Sequence, residues 1–371
     1  MQARVKDITQ IMENLFPVYL AEKWDNVGLQ IGSYQNPASR VLIALDIDND
    51  VLQYGIEQKV DMIITHHPLF FNGIKSINYD QSQGSLLKGI IEAGITVYSA
   101  HTNLDAGERG LNQILAERIG LNDIKPLDKH HTEILYKLVV YVPVDHESIV
   151  RQAILEAGAG HIGMYKDCSF RMKGTGSFRP LEGSRPFIGQ EGSLEELDEY
   201  RLETVVPQPK LEKVLQKMQQ AHPYEEVAYD VYRLEKPGSV FSLGRMGKLS
   251  TEMTLQELCL QIKNCLGLES VRVVGDLKQS VKKVGVVSGA GASFIEKSRG
   301  KGCDVLLTGD LKYHEAKNAM ELGIAVIDAG HQGTEQIMSN YLCNVLEEEI
   351  QKKGINVELV PDINQECIIT I

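Results

Sequence analysis

The sequence predicts an α/β protein of two related halves with mainly parallel strands, plus an inserted ferredoxin-like α+β domain. Three observations carry that expectation. β-Branched apolar runs alternate with helically spaced apolar residues toward both ends of the chain. The two ends also echo each other: Asp61-Met62-Ile63-Ile64-Thr65 matches Asp304-Val305-Leu306-Leu307-Thr308, and Glu92-Ala93-Gly94-Ile95-Thr96-Val97 matches Glu321-Leu322-Gly323-Ile324-Ala325-Val326. Between them the element order becomes βαββαβ, the split unit of ferredoxin-like folds. The expected divisions are 1–128, 129–237 and 238–371.

In the first half, Val5 to Leu15 has helical spacing and Pro17 ends it. Val41 to Leu45 reads as a strand, Asp50 to Gln58 as a helix, and Asp61 to Thr65 as a buried parallel strand. Ser85 to Ala93 is a helix closed by Gly94. Ile95 to Tyr98 is a strand that runs into the Asp105 loop, and Gly110 to Ile119 is a helix closed by Gly120. In the insertion, strands are expected at 135–142, 168–172, 200–206 and 227–233, with helices at 146–157 and 209–220. The second half repeats the first: strand Val284 to Val287, strand Asp304 to Thr308, helix Tyr313 to Glu321, and strand Ile324 to Asp328. A helix then carries Glu335 through Leu346.

Composition narrows the function classes. The chain has 371 residues, 43% hydrophobic and 24% charged, with a formal net charge of -12. That charge disfavours a nucleic-acid duplex or an anionic membrane, and no basic patch offsets it. No stretch approaches the roughly 20 apolar residues of a membrane span, and the N-terminal residues lack the apolar core of a signal peptide. The six cysteines, Cys168, Cys259, Cys265, Cys303, Cys343 and Cys367, form no CxxC pair and read as free thiols, with Cys303 and Cys343 buried. A cytoplasmic location is expected.

The chemistry concentrates at strand ends. His66 and His67 follow the strand 61–65, and Pro68 bars its continuation, so both imidazoles fall at the carboxyl edge where open α/β sheets bind ligands. Asp105, His331 and Glu335 fall at matching strand ends, and His331 and Glu335 share a helix face at i, i+4. Alone, Asp105 reads as a helix cap and Glu335 as a solvated carboxylate. Together the five suit zinc, iron or manganese, and they exceed what one tetrahedral ion needs, which points to two divalent ions. His101, His314 and Asp310 are candidates for orienting the ligands or for acid–base work. The Ser288-Gly289-Ala290-Gly291 turn either cradles a phosphate or makes a tight strand-to-helix connection.

These motifs carry a resemblance. Thr65-His66-His67-Pro68-Leu69-Phe70-Phe71, Ser99-Ala100-His101-Thr102-Asn103-Leu104-Asp105 and Gly330-His331-Gln332-Gly333-Thr334-Glu335 resemble the dinuclear-metal-centre hexameric family, also called GTP cyclohydrolase 1 type 2 homologues. Glu22-Lys23-Trp24-Asp25-Asn26-Val27-Gly28-Leu29-Gln30 and Thr308-Gly309-Asp310 are similar to the same family. The resemblance implies metal ligands at His66, His67, Asp105, His331 and Glu335, and a toroidal homohexamer with its metal sites facing an internal cavity. The middle section is similar to the PII/CutA-like domain that some bacterial members insert, carried by Gly160-His161-Ile162-Gly163, Gly174-Thr175-Gly176-Ser177-Phe178 and Ala221-His222-Pro223-Tyr224-Glu225-Glu226. His161 and His222 are secondary ligand candidates there.

Two functions follow as expectations. One is a metal-dependent hydrolase of a small phosphorylated or nucleotide-like substrate; the family name alone suggests GTP. The other is a non-catalytic metal-binding or regulatory ring whose insert senses a metabolite. The His/Cys/Cys zinc pattern of the type I cyclohydrolase is absent, and no cysteine lies near the ligand candidates in sequence.

Overall fold

A computed structural model describes residues 3–362. Two compact units result, one formed by the residues up to His131 together with those from Phe241 onward, the other by Thr132–Val240. Cys367 lies outside the described residues; the other five cysteines are free, with Cys303 buried and Cys343 half-buried.

The first unit holds two mixed sheets. In one, the spatial order is Gly28–Ile31, Thr96–Ser99, Met62–Thr65, Arg40–Ala44 and Glu358–Pro361. In the other it is Arg272–Val274, Ala325–Asp328, Val305–Thr308, Ser280–Val286, Arg245–Thr254 and Asn122–Pro126. Each has a parallel centre, Arg40–Ala44 with Met62–Thr65 and Thr96–Ser99 in the first, and Ser280–Val286 with Val305–Thr308 and Ala325–Asp328 in the second. In each, the last of these strands pairs antiparallel with a short edge strand.

The sequence echo corresponds to the same hydrogen bonds made twice. The Asp61 carboxylate accepts from the amides of Ser39 and Arg40, and the Asp304 carboxylate accepts from those of Lys282 and Lys283. The amide of the residue after each third parallel strand continues the ladder in the same way, Ala100 to the Thr65 carbonyl and Ala329 to the Thr308 carbonyl. An aspartate that closes the start of a strand against its neighbour sets register. Because register has period two, it also sets which side chains reach the far edge.

The central strands are buried on both faces, which is why they read as continuous apolar runs. Val41, Ile43, Met62 and Ile64 pack with Ile8, Met12, Leu342 and Leu346 from helices Val5–Leu15 and Ile337–Lys353. Val284, Val286, Val305 and Leu307 pack with Leu115 of helix Leu111–Arg118 and with Leu255, Leu258 and Ile262 of helix Leu255–Leu266.

The expected elements recur with boundaries shifted by a few residues, and two findings correct the sequence reading. The second sheet is less parallel than expected, because Arg245–Thr254 runs antiparallel to both neighbours. The helix expected from Glu335 to Leu346 is two helices, His331–Glu335 and Ile337–Lys353, parted at Gln336.

The second unit is a four-stranded antiparallel sheet in the order Tyr229–Arg233, Leu135–Pro143, Glu195–Pro207, Ser169–Phe178. Leu138, Val140 and Val142 alternate along one strand. They pack with Leu202 and Val206, with Val150 and Ile154 of helix Glu147–Glu156, and with Val214 and Met218 of helix Leu211–Ala221. This core is separate from those of the first unit. The first unit's chain meets itself where the second departs, the His130 amide donating to the Phe241 carbonyl at 3.0 Å. Replacing Thr132–Val240 with a short Gly/Ser linker should therefore leave a folded first unit. Circular dichroism should retain a cooperative thermal transition; an insoluble or non-cooperative product across several linker lengths would show that the first unit depends on the second.

Candidate metal centre

The site is assembled at the carboxyl ends of the parallel strands in the first unit. After Met62–Thr65 the ladder continues for two residues, the His66 amide donating to the Ala44 carbonyl and the His67 amide to the Leu45 carbonyl. The hydroxyls of Thr65 and Ser99 lie 2.8 Å apart beneath them. Thr96–Ser99 leads to His101 and the short helix Thr102–Ala106, which bears Asp105. Ala325–Asp328 leads through Gly330, at φ 78, to helix His331–Glu335.

Four imidazoles obey one rule. Each has its Nδ1 at a hydrogen-bond acceptor: His66 at the Ala100 carbonyl (3.0 Å), His67 at Asp46 (2.8 Å), His101 at Asp25 (3.0 Å) and His331 at Asp310 (2.7 Å). A carbonyl or ionised carboxylate only accepts, so Nδ1 carries the hydrogen in every ring and Nε2 is the free ligand position. The Nε2 atoms converge. Those of His67 and His331 are 3.3 Å apart, and each lies 3.2 Å from Glu335 Oε2. His66, His67 and His101 form one group able to hold an ion, and His67, His331 and Glu335 a second.

Burial sharpens the chemistry. His66 is wholly buried and Glu335 nearly so. His66 Nε2 has no hydrogen-bond partner. It faces Asp105 Oδ1 at 3.6 Å and Glu335 Oε1 at 3.9 Å. A buried lone pair opposed by two carboxylate oxygens is repulsive unless a cation sits among them. These donors therefore fit a divalent ion.

The protonation pattern agrees. Burial drives the His66 pKa down to about 3, so the ring stays neutral. Burial also works against charge on His67, but Asp46 and Glu335 prevail and raise it to about 10. Contact with Glu335, against burial and helped by Asp310, raises His331 to about 9. Burial, then the charge of Glu335, lifts Asp105 to about 7. Burial pushes Glu335 up, yet its contacts with His331 and His67 hold it below the usual carboxylate range. Without a metal, protons on the two rings neutralise the buried glutamate.

Gly289 closes the site from the second sheet. It sits at φ 58, and a Cβ there would lie 2.4 Å from Glu335 Oε1 and 3.2 Å from the His331 ring. Only glycine allows that approach. The turn's amides have partners: Ser288 donates to Asn112 Oδ1, Gly289 to Thr334 Oγ1 and Gly291 to Thr308 Oγ1. The turn is thus the tight strand-to-helix connection, with these amides committed within the chain instead of offered to a phosphate.

The sequence-derived candidates fall as follows. His66, His67, Asp105, His331 and Glu335 come together. His101 joins them at ligand distance, closer than a purely supporting role requires. Asp310, at φ 56, orients His331. His314 is exposed against Tyr313 and belongs to neither ligand group. In the second unit His161 is exposed, while His222 uses both nitrogens, Nε2 at the Tyr141 carbonyl and Nδ1 accepting from the Tyr224 amide. Hydrogen bonding is therefore the role of His222. Asp25 and Asp46 were missed by sequence reasoning. Asp25 belongs to the 22–30 motif with nothing local to mark its role, and the signal for Asp46 is its place just beyond a strand end.

Comparison with known proteins gives the family. Residues 3–365 match the family described as Duf34/NIF3 (NGG1p interacting factor 3). The chain belongs to that family. Among its relatives, a Bacillus subtilis protein named GTP cyclohydrolase 1 type 2 homolog is 44% identical over 354 residues, 95% of each chain. A Listeria innocua protein of the same name is 37% identical over 360 residues, 96% of each. The solved structure of a Bacillus cereus protein related to NIF3 matches with TM-score 0.93 at 40% identity, covering 100% of both chains. Staphylococcus aureus protein SA1388 matches with TM-score 0.78 at 29% identity, covering 100% of this chain and 99% of that one. No helix among the described residues of this Duf34/NIF3 member is long and apolar enough to cross a membrane.

The raised values of His67 and His331 set the pH dependence of metal binding. Both folded values exceed the usual 6.5, so their protons stabilise the metal-free fold fully below pH 6.5, and that contribution fades as pH rises through about 9 to 10. An incoming ion must displace those protons. Calorimetric titration of metal-free protein with manganese at pH 7, in two buffers of different ionisation enthalpy, should show proton release that diminishes above pH 9. Buffer-independent heats at pH 7 would contradict the assignment of these rings.

Proposed function

We propose that the centre holds two divalent ions bridged by Glu335, and that the protein is a metal-dependent hydrolase of a small phosphorylated or nucleotide-like substrate. The observation that carries this reading is the opposition of the bare, buried His66 Nε2 to Asp105 and Glu335. His66, Asp105 and Glu335 Oε1 would hold one ion; His67, His331 and Glu335 Oε2 would hold the other, with His101 beside the first. Zinc, iron and manganese suit imidazole and carboxylate together. Such a pair supplies Lewis-acid polarisation of a phosphoryl or carbonyl oxygen and a water ionised near neutral pH. The protein's own contribution is positional: Asp46, Asp25, Asp310 and the Ala100 carbonyl fix the rings, and Gly289 admits the glutamate. His101, with Nδ1 committed to Asp25, keeps Nε2 for an ion or for a proton in transit.

Around this centre we infer a cytoplasmic homohexameric ring, with Thr132–Val240 as a ferredoxin-like, PII/CutA-like insertion. The βαββαβ order and all-antiparallel sheet of that unit support the ferredoxin-like part of this reading. Its separate core also favours a second function, a metal-binding or regulatory ring in which the insertion senses a metabolite. The name shared by the relatives makes GTP a member of any substrate panel.

The test is turnover. Metal-free protein loaded with manganese, zinc or iron should hydrolyse at least one of a panel of phosphate esters and nucleotides including GTP. Chelation should abolish the activity, and Glu335→Gln should lower it by at least about 100-fold, beyond the loss usual for outer-shell changes. Two bound ions with no turnover above the Glu335→Gln control across the panel would favour the binding-protein reading instead.

A further inference from the structure

Trp24 and Phe71 stand beside the centre with 61% and 53% of their surfaces exposed. Each meets the His101 ring in a T-shaped contact, with centroids 5.9 Å and 5.8 Å away and interplanar angles of 72° and 88°. Phe71 also lines a cleft of about 440 Å³ with Asn26, Phe70, Asn72, Gly73 and Ile74. That volume lies within the range of small-molecule sites, about 300–1,000 Å³. The two walls are joined: Asn26 Nδ2 donates to the Phe70 carbonyl at 2.7 Å and to Gln30 Oε1 at 3.2 Å, tying the Trp24 segment to the Phe71 loop.

The lining is aromatic, aliphatic and amide, and none of its residues carries charge. Lys75 follows the lining in sequence, and the anion-seeking groups lie on the other side, at the metal centre that His101 adjoins. A ligand spanning both would place an uncharged, flat group against this lining and an anionic group toward the metal centre. Aromatic faces favour a planar π-system over an alkyl chain, and a side-chain amide such as that of Asn72 recognises the ring nitrogens and carbonyls of a heterocycle, while Asn26 spends both Nδ2 hydrogens within the chain.

We propose that this cleft receives the heteroaromatic ring of a mononucleotide-like substrate, with Trp24 and Phe71 as specificity-determining residues and the anionic group directed to the metal centre. The ring-binding half stands on the cleft alone; the placement of the anion rests on the proposed metal function.

Trp24 is the single tryptophan of the chain and stands against the same His101 ring as Phe71, so its fluorescence reports on the rim of the cleft. Metal-loaded full-length protein is titrated with GMP, AMP, guanosine and ribose 5-phosphate. The purine ligands should quench Trp24 emission saturably, and ribose 5-phosphate should not. By calorimetry, Trp24→Ala and Phe71→Ala should each weaken GMP binding about tenfold, the typical worth of one aromatic–base stack. Metal content and ribose 5-phosphate affinity should be unchanged, and Trp24→Phe should retain most of the affinity. Guanosine separates this inference from the metal reading, because its quenching should survive Glu335→Gln whatever becomes of turnover. Equal affinity for GMP and ribose 5-phosphate, or no effect of either alanine variant on GMP binding, overturns the proposal. A change in sedimentation without a change in GMP affinity also overturns it and assigns the rim to a contact between subunits.

Discussion

Every part of the candidate centre depends on the fixation of four imidazoles through Nδ1. An unrestrained histidine offers either nitrogen and rotates to suit solvent. Here the Ala100 carbonyl, Asp46, Asp25 and Asp310 each take the Nδ1 hydrogen, and Nε2 is left pointing inward. Outer groups of this kind set tautomer and ring orientation together and raise the basicity of the ligand nitrogen. The arrangement would be costly in an empty protein, since it buries a glutamate and a bare lone pair. Protons on His67 and His331 offset that cost and must leave when a cation arrives. Asp46 and Asp310 thus do two things at once, holding His67 and His331 and helping to keep them basic enough to compete for either a proton or a metal.

The doubled sheet explains how such a set converges. Asp61 and Asp304 close the starts of their strands with the same pair of backbone hydrogen bonds, so the carboxyl ends emerge in equivalent places. In the first sheet the emerging residues are His66 and His67; in the second the equivalent position holds Gly309 and Asp310. The two sheets thus place ring ligands on one side and an orienting carboxylate on the other. The third strands then deliver Asp105 and the His331–Glu335 turn. The close approach at Gly289 shows how little room remains between the turn after Ser280–Val286 and the glutamate.

Much of this was legible in the sequence because strand ends announce themselves. An apolar β-branched run followed by His-His-Pro places two side chains at an edge with little ambiguity, and a Gly-His with glutamate four residues on does the same at a helix start. The outer carboxylates were not legible, because nothing local distinguishes Asp46 from any other acidic residue past a strand. Its role exists only through a partner 21 residues away. His222 shows the converse failure. A histidine beside Pro223 and Tyr224 suggests chemistry, but both of its nitrogens serve the backbone. The edge strands Gly28–Ile31 and Arg272–Val274 are short and only partly buried, and Arg245–Thr254 carries Lys248, Ser250 and Glu252 on its exposed side. Period alone could not raise them above a loop.

If Glu335 serves two ions at once, as proposed, each ion would face Nε2 atoms. Anomalous difference maps from crystals of the protein loaded with zinc, recorded above and below the zinc edge, test it most directly. Two anomalous peaks per chain are expected, one among His66, Asp105 and Glu335 and the other among His67, His331 and Glu335, each within about 2.0–2.2 Å of its nitrogen and oxygen ligands. A single peak, or peaks held by other residues with His66 Nε2 still bare, would contradict it.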